Sequence, residues 1–181
     1  MRIERLIVGR LETNCYLVIS DKELAVIDPG DEIKKVLAAI RKENITPKFI
    51  INTHYHFDHT YYSLEIKKII GGKVLFHRAE QDYIDFKADQ LLDDGDKVKI
   101  GKIILKVIYT PGHTSGSICL LGDNFIFTGD TLFENGCGRT DLPGGSDKAM
   151  QKSLKKLAKI IKLGMVIYPG HGNIFKATQR L

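Results

Sequence analysis

Four times in this chain a short apolar run breaks off into residues that can bind a metal ion, and that pattern constrains the fold more than any other feature. Phe49-Ile50-Ile51 leads into Thr53-His54-Tyr55-His56-Phe57-Asp58-His59. The segments Thr110-Pro111-Gly112-His113, Thr128-Gly129-Asp130 and Tyr168-Pro169-Gly170-His171 each close an apolar stretch with a Gly or Pro-Gly turn and one ligand-type residue. Short runs rich in β-branched residues and bounded by Gly and Pro read as buried strands. Open α/β sheets carry their chemistry on the loops at one strand-end rim. Strands ending on one rim would bring His113, Asp130 and His171 to the loop that holds His54 to His59.

That loop packs three imidazoles and a carboxylate into six residues. Neutral imidazole and carboxylate are the donors that borderline and hard divalent ions take. The spacing lets His54 and His56 share one ion while Asp58 and His59, displaced along the chain, hold a second. A solvated histidine-rich loop is the alternative. Four donors directly after a buried strand, answered by three more at strand ends, favour a metal site.

Around these segments the chain alternates strands and helices. Strands are expected at Ile3–Gly9, Asn14–Ser20 and Leu24–Ile27. Asp31 is placed to cap a helix from Glu32 to Lys42 that buries Ile33, Val36, Leu37 and Ile40. Thr60 is placed to cap a helix from Tyr61 to Ile70, stopped by Gly71-Gly72. A short strand at Val74-Leu75-Phe76, a helix from Arg78 to Lys87 and a turn at Asp93–Asp96 follow. Strands return at Ile103–Tyr109, Ser117–Leu121 and Asn124–Thr128. The pattern predicts an α/β fold with sheets packed on each other and helices outside. At 181 residues, a single domain over 1–181 is expected.

The net charge of +5 comes mostly from lysines, many of them Lys148, Lys152, Lys155, Lys156, Lys159 and Lys162. Met150, Leu154, Leu157 and Ile161 recur among them at helical spacing, so the lysines read as the solvated side of an amphipathic helix. No aromatic residues interleave with them, and no nucleic-acid partner is expected. The absence of any 18-residue apolar run argues against a membrane span. The N-terminal residues lack the features of a signal peptide. Cys15, Cys119 and Cys137 are odd in number and widely spaced, which fits a reducing cytoplasm rather than a disulfide framework.

Val26-Ile27-Asp28-Pro29-Gly30, Thr53–His59, Thr110–Ser117, Phe127–Asp130 and Pro169-Gly170-His171 together resemble, in this order, the metallo-β-lactamase superfamily. The resemblance implies an αβ/βα four-layer sandwich of two mixed sheets flanked by helices, with a metal centre at one edge between the sheets. It implies one metal on His54, His56 and His113, a second on Asp58, His59 and His171, and Asp130 bridging the two. Asp28 would orient ligands from behind. Gly129-Asp130-Thr131-Leu132-Phe133, Thr114-Ser115-Gly116 and Gly136-Cys137-Gly138-Arg139 are similar to segments of glyoxalase II-like (hydroxyacylglutathione hydrolase-like) thioester hydrolases. Asp130 stands where β-lactamases of this superfamily commonly carry cysteine. The chain ends ten residues after His171, so the helical C-terminal domain of glyoxalase II is not expected.

The activity so implied is hydrolysis of a small-molecule thioester of the acyl-glutathione type by a metal-bridging hydroxide. The expected cofactors are two divalent ions, zinc first, with iron and manganese also suited. Asp58 or Asp130 would handle the remaining proton. Arg139 offers a planar fork for a substrate carboxylate or, equally, for an ion pair with Asp141. The segment Gly136–Asp141 is also similar to one in persulfide dioxygenases, which use one iron held by the equivalents of His54, His113 and Asp130. That is the alternative expectation.

Overall fold

The computed structural model describes residues 1–178. Its elements run β1 (Arg2–Val8), β2 (Thr13–Ser20), β3 (Glu23–Ile27), α1 (Ile33–Lys42), β4 (Pro47–Ile51), α2 (Phe57–Thr60), α3 (Ser63–Ile70) and β5 (Lys73–His77). A 3-10 helix (Arg78–Tyr83) leads into β6 (Gln90–Leu92), β7 (Lys97–Ile100), β8 (Ile103–Tyr109), β9 (Ile118–Leu121) and β10 (Phe125–Gly129). The chain continues through α4 (Asp147–Ile160) and β11 (Val166–Pro169) to β12 (Phe175–Lys176).

Two six-stranded sheets form, in the orders β1-β2-β3-β4-β5-β6 and β12-β11-β10-β9-β8-β7. Both are mixed: β3 to β6 run parallel after an antiparallel β1-β2-β3, and β10-β11 is the parallel pair of the second sheet. Strand alternation explains the layers, because successive side chains point to opposite faces. Tyr16, Val18, Ala25, Ile27, Ile51 and Leu75 of the first sheet meet Leu105, Val107, Ile118, Leu120 and Phe127 of the second. Their neighbours Leu17, Leu24, Val26, Ile50 and Val74 face the other way, onto Val36, Leu37 and Ile40 of α1 and Ile66 of α3. Cys119, Ile126 and Ile167 in turn lie under Leu157 of α4. Both faces of the central strands are buried, hence their unbroken apolar runs. The result is the expected α/β sandwich, helix–sheet–sheet–helix.

Several local expectations are corrected. Asp31 does not cap α1; that helix begins one residue later than expected, after Glu32 at φ 46°, with no side-chain cap. The Asp31 carboxylate instead accepts from the Glu32 amide and lies against Gly9 of the β1–β2 turn. Thr60 caps nothing: the helix expected from Tyr61 starts later, at Ser63 of α3, and Thr60 instead closes the short α2, donating to the Tyr55 and His56 carbonyls. The helix after β5 stops at Tyr83, since the Gln81 amide donates to the Phe86 carbonyl and accepts from the Ala88 amide, shaping the rest into a loop. Strands β6, β7 and β12 add to the expected set. The lysine face of α4 is solvated as expected, with Met150, Ser153 and Leu157 buried. Among the described residues no helix is long and apolar enough to cross a membrane.

The sheets are joined at one rim. The Asn14 amide of β2 donates to the Gly170 carbonyl at 2.7 Å, and its side chain to the carbonyls of Pro169 and Gly172. Tyr16 donates its hydroxyl to the Pro169 carbonyl at 2.6 Å. The Ile118 amide of β9 donates to the Thr53 carbonyl just past β4. The donor-rich loops sit on this seam.

Candidate metal centre

β4 ends at Ile51, and the chain turns at once because its next residues are bound from behind. The Asn52 side chain donates to the His59 carbonyl and exchanges bonds with Ser63. Asp28, just past β3, accepts from the Thr53 amide and hydroxyl, each at 2.7 Å. The same carboxylate lies 3.0 Å from His59 Nδ1. At Gly30 a Cβ would stand 1.4 Å from the Asp58 carbonyl oxygen, so this approach needs glycine. These contacts hold His54, His56, Asp58 and His59 pointing into the seam. His113 follows β8, Asp130 follows β10 and His171 follows β11, all on the same rim.

All seven expected ligand residues are brought together. Donor atoms of His54, His56 and His113 lie within 4.8 Å of one another, as do those of Asp58, His59 and His171, and those of His54, His59 and Asp130. His56 Nδ1 lies 2.8 Å from His113 Nε2, and His59 Nε2 lies 3.2 Å from His171 Nε2. Asp130 reaches both sides: Oδ2 is 3.4 Å from His113 Nε2 and 3.5 Å from His171 Nε2, while Oδ1 is 3.5 Å from His59 Nε2. The outward ring nitrogens are anchored. His113 Nδ1 bonds the Arg139 carbonyl at 2.7 Å, and His171 Nδ1 bonds the Leu11 carbonyl at 2.9 Å. Each bond fixes the tautomer that leaves Nε2 free as a donor toward the seam.

The electrostatics point to a cation. Burial, with His59, His113 and His56 nearby, holds His54 well below the ordinary histidine range. Burial likewise pushes His56 down to about 4. Burial would also depress His59, but Asp130, Asp28 and Asp58 around it raise it to about 9. Against its own burial, Asp58 is held below the usual carboxylate range by His171, His59 and a 2.8 Å bond from Thr13. Among the described residues, His54 Nε2, His56 Nε2 and Asp130 Oδ1 are buried without a hydrogen-bond partner. Buried polar atoms are normally satisfied. The orphaned atoms of His54 and Asp130, with His56 Nδ1 turned to His113 Nε2, fit a divalent ion with nitrogen and oxygen ligands.

Arg139 lies in the exposed segment after Asp130. Its guanidinium grips Asp141 through two bonds of 2.7 Å, the ion-pair arm of the expectation. Cys137 is exposed. Two contributors lay beyond sequence reasoning. Thr13 bonds Asp58 from a strand-initial position that carries no signal of its own. Glu80, in the short 3-10 helix, is fully buried beside the ligand loops. Burial pushes its carboxyl up to about 7, against the pull of bonds from Thr114, Gly116 and Tyr55.

Residues 8–171 match the model of the metallo-β-lactamase superfamily. The chain is 32% identical over 171 residues to the "Probable polyketide biosynthesis zinc-dependent hydrolase BaeB" of Bacillus velezensis, covering 92% of this chain and 76% of that one. It is 36% identical over 170 residues to a hydroxyacylglutathione hydrolase of Pelagibacter ubique, covering 91% and 69%. Among solved structures, the BLEG-1 B3 metallo-β-lactamase superposes with a TM-score of 0.90 at 27% identity, covering 97% of this chain and 94% of that one. ETHE1 from Myxococcus xanthus superposes with a TM-score of 0.88 at 26% identity, covering 98% and 80%. With the two-sheet sandwich, the histidine-rich turn after β4 and a family match over nearly its whole length, the chain belongs to the metallo-β-lactamase superfamily.

Proposed function

We propose that this chain is a binuclear metal-dependent hydrolase of a thioester of the acyl-glutathione type. The observation that carries the reading is the convergence of seven donors into two triads, His54-His56-His113 and Asp58-His59-His171, with Asp130 against both. Two divalent ions held by these residues would supply Lewis acidity and a water whose pKa falls from 15.7 toward roughly 7. The chain's own groups do the rest. Asp28, the Arg139 carbonyl and the Leu11 carbonyl keep three imidazoles aimed inward. Asp58 and Asp130 are the carboxylates in reach of a proton released at the seam. A leaving thiolate departs as an anion and needs none. Arg139 reaches a substrate carboxylate by giving up its exposed pair with Asp141.

The reading is tested by metal content per chain, on protein purified without chelator, followed by a panel of acyl-glutathione and other thioesters. Two ions and thioester turnover are expected, with His54→Ala abolishing turnover while circular dichroism is unchanged. Undiminished turnover in that variant would overturn the mechanism. A second reading, a mononuclear iron dioxygenase acting on persulfides, rests on the similarity of the segment Gly136–Asp141 to one in those enzymes; His54, His113 and Asp130 would hold the iron, and Asp130 Oδ2 lies 3.4 Å from His113 Nε2. One iron per chain with persulfide-dependent oxygen uptake would replace the first reading with the second.

A further inference from the structure

Glu80 bonds both ligand loops at once. It sits in the 3-10 helix after β5, its side chain wholly sealed from solvent. One carboxylate oxygen accepts from the Thr114 hydroxyl at 2.9 Å and from the Gly116 amide; the other accepts from the Tyr55 amide. Tyr55 lies between His54 and His56, and Thr114 directly follows His113. The Gly116 backbone comes so close that a Cβ there would stand 2.4 Å from Glu80 Oε1. No cation partners this carboxylate among the described residues; its partners are those three donors alone.

A buried carboxylate with three inward-aimed donors is a rigid bracket, because charge-assisted hydrogen bonds are short and directional. What it brackets is the separation of the His54-Tyr55-His56 turn from the His113 turn. Asp28 is a different brace, which holds Thr53, whose hydroxyl lies 3.1 Å from His54 Nδ1, and His59 of the second triad, but among the described residues makes no bond to the His113 turn. We propose that Glu80 is a positioning residue for the first metal position: it sets the distance between His54 or His56 and His113, and so the affinity of that position relative to the one at Asp58, His59 and His171. The proposal rests on the two-metal reading above.

Glu80→Gln is the discriminating variant because it keeps size and shape but removes one acceptor. With the amide in one orientation its NH2 faces the Tyr55 N–H; flipped, it faces the Gly116 N–H. Either way a donor meets a donor, and one backbone amide loses its partner. The full-length chain, stripped of metal and titrated with zinc against a chromophoric chelator, gives the two binding steps separately. In the wild type two steps are expected. In Glu80→Gln one step should weaken about 10–100-fold, the range associated with removing partners that orient ligands, while the other stays put. Glu80→Asp, which keeps the charge but falls short of one loop, should lie between the two.

Equal weakening of both steps, or none, overturns the assignment of Glu80. A wild type that takes up fewer than two zinc ions overturns the two-metal reading instead, so the two failures are distinguishable. If Glu80→Gln does not fold, Thr114→Val removes one of the three bonds and leaves the carboxylate in place. The same selective weakening, smaller in size, is then expected, and its absence overturns the proposal. A merely structural residue would shift the urea midpoint of the metal-free chain without separating the two binding steps.

Discussion

The first sheet delivers four donors from one continuous segment after β4, whereas the second delivers three from three separate strand ends. The difference lies in what holds each set in place. His54, His56, Asp58 and His59 are fixed by neighbours of the same half: Asp28 from β3, Asn52 and Ser63 across α2, and Thr60 closing that helix. His113, Asp130 and His171 take their positions from strand register and the seam, with the two histidines further held by the distant Arg139 and Leu11 carbonyls. At Gly170 a Cβ would lie 2.2 Å from Asp130 Oδ1 and 2.8 Å from the His59 ring, so at the metal centre the halves meet through a residue without a side chain. A locally braced set and a register-dependent set should answer differently to mutation.

Asp130→Ala is the harshest way to break that contrast. Asp130 touches donors of both triads, so its loss should release both ions and lower turnover by more than the roughly 100-fold upper end seen for partners behind the ligands. Metal content and kcat measured together check this; retention of both ions would mean the triads stand independently. Asp28→Asn attacks the local brace. The Thr53 amide and His59 bond opposite oxygens of Asp28, and a carboxamide has only one acceptor oxygen, so zinc affinity should fall about 10–100-fold. An unchanged affinity would move the bracing role to Asn52 and Thr60.

Gly170→Ala tests the seam itself. Forcing a methyl group into that contact should cost about 1–3 kcal/mol, read from the urea midpoint. A midpoint equal to wild type would show that β10 and β11 separate without strain. The smallest effect is expected at Arg139. Its pair with Asp141 is exposed, and exposed pairs add little, so Arg139→Ala should leave the thermal midpoint where it is. Any loss in this variant should appear as a raised KM for carboxylate-bearing thioesters.

The same contrast explains what the sequence made legible. Three imidazoles and a carboxylate in six residues can be read without a fold, because the signal is local. His113, Asp130 and His171 could be read only through the repetition of an apolar run, a glycine turn and one donor. Glu80 could not be read at all. Its role depends on amides and a hydroxyl 25 to 36 residues away, and a helix of six residues has no periodicity to betray it. The sandwich was legible from the alternation of buried runs and amphipathic helices. Its margins were not: β7 is a four-residue edge strand alternating Lys97, Val98, Lys99 and Ile100, and β12 spans two residues.

The bonds from Tyr16 and Asn14 to Pro169 and Gly172 join residues 153 to 158 positions apart. Closing loops of that length is slow compared with forming local contacts. During synthesis the first triad has all its members once residue 113 has been made, whereas the second waits for His171, 58 residues later. The two halves of one reaction centre therefore come into being at different times. A ribosome-bound chain can gather three imidazoles long before it has anything to seal the seam above them.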